Sequence, residues 1–357
     1  MDLTELMRWR PRVEKALDAR LAMAFREARG LNPLLAPSLS GVRDFNLRGG
    51  KRFRALLLLA GYHLARGRDP AKVLSAAAAL ETFQGWMLAH DDVIDHGETR
   101  RGGPSLHVAM AGLHSARGWL GSSADFGEAA AITLGDLLEP LTVEGFLEVP
   151  VSHSRVIAAL GEYHRMARMT ALGELLDVIL SVQPVARVSP KDVLTVHRLK
   201  SAIYTVSAPL RMGAILAGGR PALLELLSSV GDDLGVAFQL RDDVLGLGIS
   251  SEHVVGKSTN DLMEGKRTLL VVDAWREGGR DQRMALEAVL GNPLASPEQF
   301  DQAITVLQET GSLDRSEEMI GWLKRRAYRK LDASTALDAS RRQLLHEIGE
   351  MLTDRKV

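Results

Sequence analysis

The sequence predicts an all-α protein, built as one large bundle of antiparallel helices around a central cavity. Its first support is helical periodicity: "PRVEKALDARLAMAFREA" places Val13, Leu17, Leu21 and Phe25 at four-residue spacing on one face. Its second is the near absence of runs of alternating β-branched residues. Its third is the short Gly- or Pro-containing breaks, such as "GRDP" and "LAGGRP", which are typical of neighbouring helices in a bundle.

The individual helices follow from the same pattern, starting with the amphipathic segment around Val13. Two segments rich in the strong helix formers Ala and Leu come next, at residues 54–67 and 76–95. Further helices are predicted at residues 128–146, 154–180, 194–217, 222–247, 267–275 and 316–331. We expect a single domain over residues 1–357, with the polar, turn-rich stretch 278–314 as a peripheral excursion.

The bulk properties exclude several classes of protein. A formal net charge of −1 gives no reason to expect nucleic acid or an anionic membrane as a partner. The lack of cysteine excludes disulfides and thiolate metal sites. The N-terminal residues mix acids and bases, unlike a signal peptide, and no apolar run approaches the ~20 residues that span a bilayer. We interpret the chain as a soluble cytoplasmic protein.

Three aspartates at the end of an apolar helix are the first chemical signal. In "WMLAHDDVID", Asp91 and Asp95 are four residues apart and share a helix face, with Cβ atoms about 5–6 Å apart, and Asp92 lies beside them. The preceding segment is apolar on nearly all sides, so these carboxylates should be buried enough to need cations. Because oxygen is the only donor offered, Mg²⁺ is favoured over Zn²⁺.

A second acidic pair closes another apolar helix about 150 residues later. "GVAFQLRDDVLGLG" ends in Asp242 and Asp243. One such pair is weak evidence, because adjacent acids on a solvated helix face are common. Two pairs, each at the end of an apolar helix in an all-α chain, predict metal ions held from two sides of one cavity, and Mg²⁺ typically bridges carboxylates to phosphates.

Basic residues supply the counterparts of a phosphate group. "RGGKRFR" presents Lys51 and Arg54 around a Gly-Gly turn at a helix start, a position suited to phosphate. Arg100 and Arg101 follow the first aspartates, and Lys200, Lys257 and Lys266 lie further on. Taken together, these cations predict a pocket for more than one diphosphate.

These motifs resemble those of the trans-isoprenyl diphosphate synthases, or polyprenyl synthetases, over about residues 45–275. "GGKRFR" resembles the GGKxxR element, and "DDVID" followed by "RRGGPSLH" resembles the first aspartate-rich motif. "KSAIY" stands at a Lys-Thr pair, and "FQLRDDVLG" with "GKSTNDLMEGKRTLL" resembles the second aspartate-rich region. The resemblance is closest to short-chain bacterial geranylgeranyl and farnesyl diphosphate synthases.

The resemblance implies a Mg²⁺-dependent, head-to-tail prenyltransferase, active as a homodimer with two or three ions per active site. It assigns Asp91, Asp92, Asp95 and Asp242 to the metal ions that hold an allylic diphosphate. It also assigns Arg100, Lys200, Lys257 and Lys266 to the binding of the allylic diphosphate. It assigns Lys51, Arg54, Gln84 and Arg101 to the binding of the diphosphate of isopentenyl diphosphate. Ser201 and Gln239 match polar positions that steady the carbocation or the leaving group.

The second aspartate motif departs from the family pattern. Gly246 stands where a fifth aspartate is usual, so the resemblance leaves Asp242 as the metal ligand of that motif, with Asp261 able to assist through water. Ser201 replaces a threonine and keeps its hydroxyl group. Neither departure removes the expectation of activity.

Bulky residues before Asp91 indicate a short product. Trp86 precedes Asp91 by five residues, about 7.5 Å along a helix, where the family resemblance implies a floor for the growing tail. With Met87 beside it, we predict geranylgeranyl diphosphate, with farnesyl or a longer polyprenyl diphosphate as the alternative. The other interpretation of Trp86 is that it is an ordinary core residue.

Two other functions stay open for the protein: a class I terpene cyclase, against which the GGKRFR element argues, and a non-catalytic subunit of a heteromeric synthase.

Overall fold

The computed structural model describes residues 1–247, 261–262, 264–292 and 294–354. It confirms the all-α prediction, since helices make up almost all of the regular structure described. The helices are α1 Leu3–Met7, α2 Arg10–Leu31, α3 Ala36–Leu47, α4 Phe53–Leu64, α5 Leu74–Ile94, α6 Leu106–Arg117, α7 Ser123–Leu147, α8 His153–Ser181, α9 Pro190–Val196, α10 Ala208–Ala217, α11 Pro221–Gly246, α12 Leu269–Glu277, α13 Arg280–Val289, α14 Pro297–Glu309, α15 Ser312–Asp332 and α16 Ala339–Thr353. Two short strands, β1 Thr99–Arg100 and β2 Gly103–Pro104, pair antiparallel.

The chain divides into two compact units. The first comprises Met1–Gly161 with Met212–Gly219, and the second Glu162–Arg211 with Arg220–Val357. The sequence prediction of a single domain over residues 1–357 stays a prediction. The stretch 278–314, predicted as a peripheral excursion, contains α13, α14 and the start of α15.

The first unit is organised around α4 and α5. Four consecutive leucines of α4, residues 56–59, and four consecutive alanines of α5, residues 76–79, are buried, so both helices are enclosed on nearly all sides. The amphipathic face of α2 is confirmed, because Val13, Leu17, Leu21 and Phe25 are all buried. Because α5 is buried along most of its length, the position of its acidic C-terminal end is set by the packing of the helix.

The second unit is organised around α11, which packs against α15, α16 and the helical segment His197–Ser207. The segment His197–Ser207, predicted as the middle of one continuous helix over 194–217, has π-type hydrogen bonding. Gly231 and Gly235 let α11 approach it closely: a Cβ on Gly235 would lie 2.6 Å from the Cα of Ala202. Such irregular helical turns often occur at functional sites, and this one carries Lys200 and Ser201.

Candidate active site

The three aspartates of the first motif close α5, as predicted, but they differ in exposure. Asp91 and Asp95 are partly exposed, whereas Asp92 is fully buried. Asp95 is the C-terminal cap of the helix. Asp91 and Asp95 are therefore the carboxylates of this motif that solvent reaches.

Arg100 pairs with this acidic end. Its Nε donates to Asp92 Oδ1 at 2.8 Å, and its Nη2 lies 3.3 Å from Asp91 Oδ2. Burial raises the pKa of Asp92 to about 6, with the Arg100 guanidinium opposing the rise and the charges of Asp91 and Asp95 adding to it. The second oxygen of Asp92 is buried with no hydrogen-bond partner within the described residues. One guanidinium thus supplies part of the positive charge that these clustered carboxylates were predicted to need.

A tight hairpin presents Arg100 and its neighbour Arg101 to different groups. Arg101 and Gly102 have φ values of +55° and +73°, which makes a two-residue turn between β1 and β2. The Arg101 side chain lies along the Gly49–Gly50 turn, where a Cβ on Gly50 would be 3.3 Å from the Arg101 Cζ. Burial first, and then repulsion from Arg52, Arg54 and Arg100, lowers the pKa of Arg101 to about 10.

The Gly-Gly turn therefore lies against Arg101 and directly before Lys51, close to the start of α4. Gly49 and Gly50 have φ values of +56° and +92°, a conformation that glycine adopts without strain. Lys51 is exposed directly before α4, and Arg54 lies in the first turn of that helix. Gln84 is buried on α5. The sequence analysis missed Glu81, a buried acid one turn before Gln84 that contacts Arg52 and the Ala55 backbone at the start of α4.

Trp86 and Met87 are partly buried on α5. The Trp86 ring meets Phe83 edge-on at 5.5 Å between ring centroids, and His90 at 6.1 Å. Trp86 also packs against the apolar cluster shared by α2, α3, α6 and α7. This packing is compatible with a core residue as well as with a floor, so the chain-length role of Trp86 and Met87 stays a prediction.

In the second unit, Lys200 is held by two carboxylates. Its Nζ lies 2.9 Å from Glu174 and 2.8 Å from Asp177, which are three residues apart on α8. Gly173 makes room for this contact, since a Cβ there would lie 2.4 Å from the Lys200 backbone nitrogen. Ser201 follows on the same segment. Neither Glu174 nor Asp177 was singled out from the sequence, because their link to Lys200 is a tertiary contact.

The two aspartates of the second acidic pair differ in their burial. Asp242 is partly exposed, whereas Asp243 is buried and bonded within the unit. Gln239 Nε2 donates to Asp243 Oδ1 at 2.8 Å, and His197 Nε2 lies 3.1 Å from Asp243 Oδ2. Gln239, predicted to contact substrate, therefore contacts Asp243 through its amide. The assignment of Asp242 as a metal ligand stays a prediction.

The missing fifth aspartate has a counterpart in space. A Cβ built on Gly246 would lie 2.9 Å from Asp261 Oδ2, so the Asp261 carboxylate occupies the space where a side chain at position 246 would begin. Lys266 lies 3.7 Å from Asp261 and 2.8 Å from Glu264. Lys257, also predicted to bind diphosphate, lies outside the described residues.

The donor chemistry fits a hard divalent ion. Asp91, Asp95 and Asp242 offer carboxylate oxygens, the type of ligand that Mg²⁺ takes. Among the residues described, no three His, Asp or Glu side chains converge as a ready-made metal cage.

Comparison with known proteins identifies the family. A family profile described as Polyprenyl synthetase matches residues 36–307. The chain belongs to the polyprenyl synthetase family. The predicted resemblance is confirmed, and the chain is a prenyltransferase of the head-to-tail, short-chain class. Isoprenyl diphosphate synthases of this kind generally depend on a divalent metal ion.

Named relatives align with most of the chain. It is 31% identical to the geranylfarnesyl diphosphate synthase of Aeropyrum pernix, over 86% of this chain and 91% of that protein. It is 32% identical to the geranylgeranyl diphosphate synthase of Methanosarcina mazei, over 86% of each chain. The structure matches geranylgeranyl pyrophosphate synthase from Corynebacterium glutamicum, solved with isoprenyl diphosphate and magnesium, with a TM-score of 0.87, 30% identity, and coverage of 96% of this chain and 99% of that one.

No helix in the described part of the chain is long and apolar enough to cross a membrane.

Proposed function

We propose that this polyprenyl synthetase condenses isopentenyl diphosphate with an allylic diphosphate to give geranylgeranyl diphosphate. The observation that carries the proposal is the hairpin of Arg100 and Arg101. Arg100 contacts the acidic end of α5, where a metal-bound diphosphate is expected, and Arg101 lies along the basic Gly-Gly turn. Two adjacent residues thus serve two anion sites, as a reaction between two diphosphate substrates requires.

The chemistry follows from these residues. Arg100, Lys200, Lys257 and Lys266 hold the allylic diphosphate while its carbon–oxygen bond ionises, and preorganised cations stabilise the charge that develops on the leaving group. Lys51, Arg54, Arg101 and Gln84 hold isopentenyl diphosphate so that its double bond attacks the allylic cation. A proton is then lost to the released diphosphate. Ser201 and Gln239 are the polar residues assigned to stabilise the carbocation or the leaving diphosphate.

Asp91, Asp92, Asp95 and Asp242 would hold the Mg²⁺ ions, two or three per site. Of these, Asp92 is fully buried against Arg100 whereas Asp91 and Asp95 are partly exposed, which favours the latter two as direct ligands. When bound, Mg²⁺ supplies positive charge to the departing diphosphate. Magnesium accompanies isoprenyl diphosphate in the Corynebacterium glutamicum structure, which supports the choice of ion.

A product of twenty carbons is supported by the bulk of Trp86 and Met87 and by the names of the relatives. The relatives include synthases named for geranylgeranyl and for geranylfarnesyl diphosphate. The alternatives are farnesyl or a longer polyprenyl diphosphate. A class I terpene cyclase is disfavoured because the turn with Lys51, Arg54 and Arg101 would have no second diphosphate to bind.

We also propose a cytoplasmic homodimer. Its support in the second unit is a set of exposed apolar side chains on α8, Leu172, Leu175 and Ile179, whose spacings of three and four residues place them on one face. A second copy is the occupant that the family resemblance implies. Light scattering of the purified protein tests it: a mass near twice 38.9 kDa is expected, and a monomer at micromolar concentration contradicts it.

One assay tests the proposed activity and its alternatives. The purified protein is incubated with isopentenyl diphosphate, farnesyl diphosphate and Mg²⁺, and the products are identified by mass. Extension to geranylgeranyl diphosphate is the expected result. A hydrocarbon or a cyclic alcohol would instead support a cyclase, and no turnover would support a non-catalytic subunit.

A further inference from the structure

Glu81 is a buried carboxylate that joins α5 to the start of α4. Its side chain is only 2% exposed. Its Oε1 accepts a hydrogen bond from the Ala55 backbone N–H at 3.3 Å, and its Oε2 lies 3.5 Å from Arg52 Nη1. Ala55 is the third residue of α4, so Glu81 binds one of the N–H groups that have no partner within a helix.

The start of α4 needs such a group because its own cap is unusual. Arg52, the N-cap residue, has φ +55° and makes no side-chain capping bond. The common capping residues are short and polar, and accept from the first N–H groups of the helix. Here a carboxylate from another helix does so, at the end of the helix that favours negative charge.

The same contacts fix the basic turn. The Arg52 guanidinium donates to the Leu47 carbonyl at 3.0 Å, before the Gly-Gly turn, and pairs with Glu81 and with Glu14. Its side chain therefore ties both ends of the turn to the rest of the unit. Lys51 lies immediately before Arg52 and Arg54 lies two residues after it, so the backbone that Arg52 holds also carries both of these cations.

We propose that Glu81 is a positioning residue for the diphosphate of isopentenyl diphosphate: by holding Arg52 and the first turn of α4, it sets the placement of Lys51 and Arg54 beside Arg101. This inference rests on the proposed function and deepens it. Glu81 itself touches the backbone of α4 and Arg52, and it acts on the substrate through them.

The proposal predicts a direction opposite to that of simple electrostatics. Glu81 is a negative charge beside an anion site, so Coulomb repulsion alone predicts that neutralising it tightens diphosphate binding. A positioning role predicts weaker binding, because the cations lose their fixed geometry. The sign of the change in affinity therefore separates the two.

The test is Glu81→Gln in the full-length protein, which keeps the shape and one acceptor oxygen. We expect the KM for isopentenyl diphosphate to rise at least tenfold, with kcat and the KM for the allylic diphosphate within twofold of wild type. Calorimetric titration of isopentenyl diphosphate, without the allylic substrate, should show the same loss of affinity. Glu81→Asp, which keeps the charge, should recover part of it.

Two further variants serve as a second test and as a control. Arg52→Lys keeps the charge but cannot make the bidentate, branched contacts of arginine, and it should show the same selective rise in KM even if Glu81→Gln folds poorly. Glu162→Gln is the matched control: an equally buried, arginine-paired acid of the second unit, it should leave both KM values within twofold.

The proposal is overturned if wild type extends the chain but both Glu81→Gln and Arg52→Lys leave the KM for isopentenyl diphosphate unchanged or lower it. A parallel rise in both KM values would also overturn it. Failure of wild type to extend any chain would instead remove the proposed function, so the two failures are distinguishable.

Discussion

His197 Nε2 lies 3.1 Å from Asp243 Oδ2, and both side chains are less than 10% exposed. This contact joins the segment that carries Lys200 to the acidic end of α11, within the second unit. Gln239 binds the other oxygen of the same carboxylate. Asp243 therefore connects two elements of the second unit, whereas its neighbour Asp242 is partly exposed.

Removing His197 should weaken this connection. In His197→Leu the buried carboxylate loses the imidazole that lies 3.1 Å from its Oδ2, and we expect a loss of folding free energy on the order of 1 kcal/mol. His197→Asn retains a donor group and should recover part of the loss. Urea denaturation of both variants measures the difference; equal stability of wild type and His197→Leu would show that the contact contributes nothing.

The effects of substitutions at Gly246 and Asp261 on stability should depend on each other. Gly246→Asp would place a second carboxylate against Asp261 Oδ2, and we expect it to lower the free energy of unfolding by about 1–3 kcal/mol, as overpacking does. Gly246→Asp combined with Asp261→Gly should be less destabilised than Gly246→Asp alone. Thermal unfolding of Gly246→Asp, Asp261→Gly and the double variant checks this, and additive losses in the double variant would refute the coupling.

Trp86→Ala should lengthen the product. Removal of the indole opens space five residues before Asp91, and the main product should gain at least one isoprene unit, as read by mass spectrometry. Trp119→Ala, which removes an aromatic residue near the α6–α7 loop, is the control and should leave the distribution unchanged. An unchanged distribution in Trp86→Ala as well would assign Trp86 to the core.

Glu162 should contribute to stability in a pH-dependent way. Burial alone would raise the pKa of Glu162, but hydrogen bonds from Arg165 and Arg211 outweigh it and lower that pKa below the ordinary value of 4.5. A carboxyl with a lowered folded-state pKa stabilises the fold above its unfolded pKa, and this stabilisation is lost as the pH falls through the folded value.

Glu162→Gln should therefore lower the free energy of unfolding at pH 7 by about 3 kcal/mol, the usual cost of breaking a buried ion pair. The gap to wild type should narrow as the pH falls below 4.5. Denaturant titrations at pH 7 and in this acidic range measure it. A gap that does not change with pH would contradict the role of the charge.

Sequence patterns predicted those features that depend on local order. The buried face of α2 follows from the spacing of Val13, Leu17, Leu21 and Phe25, and the five motifs identified the family because they depend on residue order alone. Motif residues were placed on helix ends for the same reason: an apolar run that stops at paired acids defines both the helix and its terminus.

Other features depend on contacts between distant residues and could not be read from spacing. Glu81 reads as one polar residue in an apolar helix, and its role appears only where α5 meets Ala55 and Arg52. Likewise, Lys200 is paired with acids more than twenty residues away. Helices α13 and α14 were missed because the stretch 278–314 is rich in turns and polar residues, whereas Leu286, Val289, Ala303 and Leu307 bury one face of each.

The measurement that tests the central claim most directly is the turnover of Asp91→Asn and Asp242→Asn with both diphosphates and Mg²⁺. Each change keeps the size of the side chain and removes one carboxylate charge, on helices α5 and α11 respectively. If both acidic ends serve one leaving group, each variant should lose at least about 100-fold in kcat, comparable to removal of one preorganised electrostatic group, at unchanged melting temperature. Wild-type turnover by either variant would contradict the account.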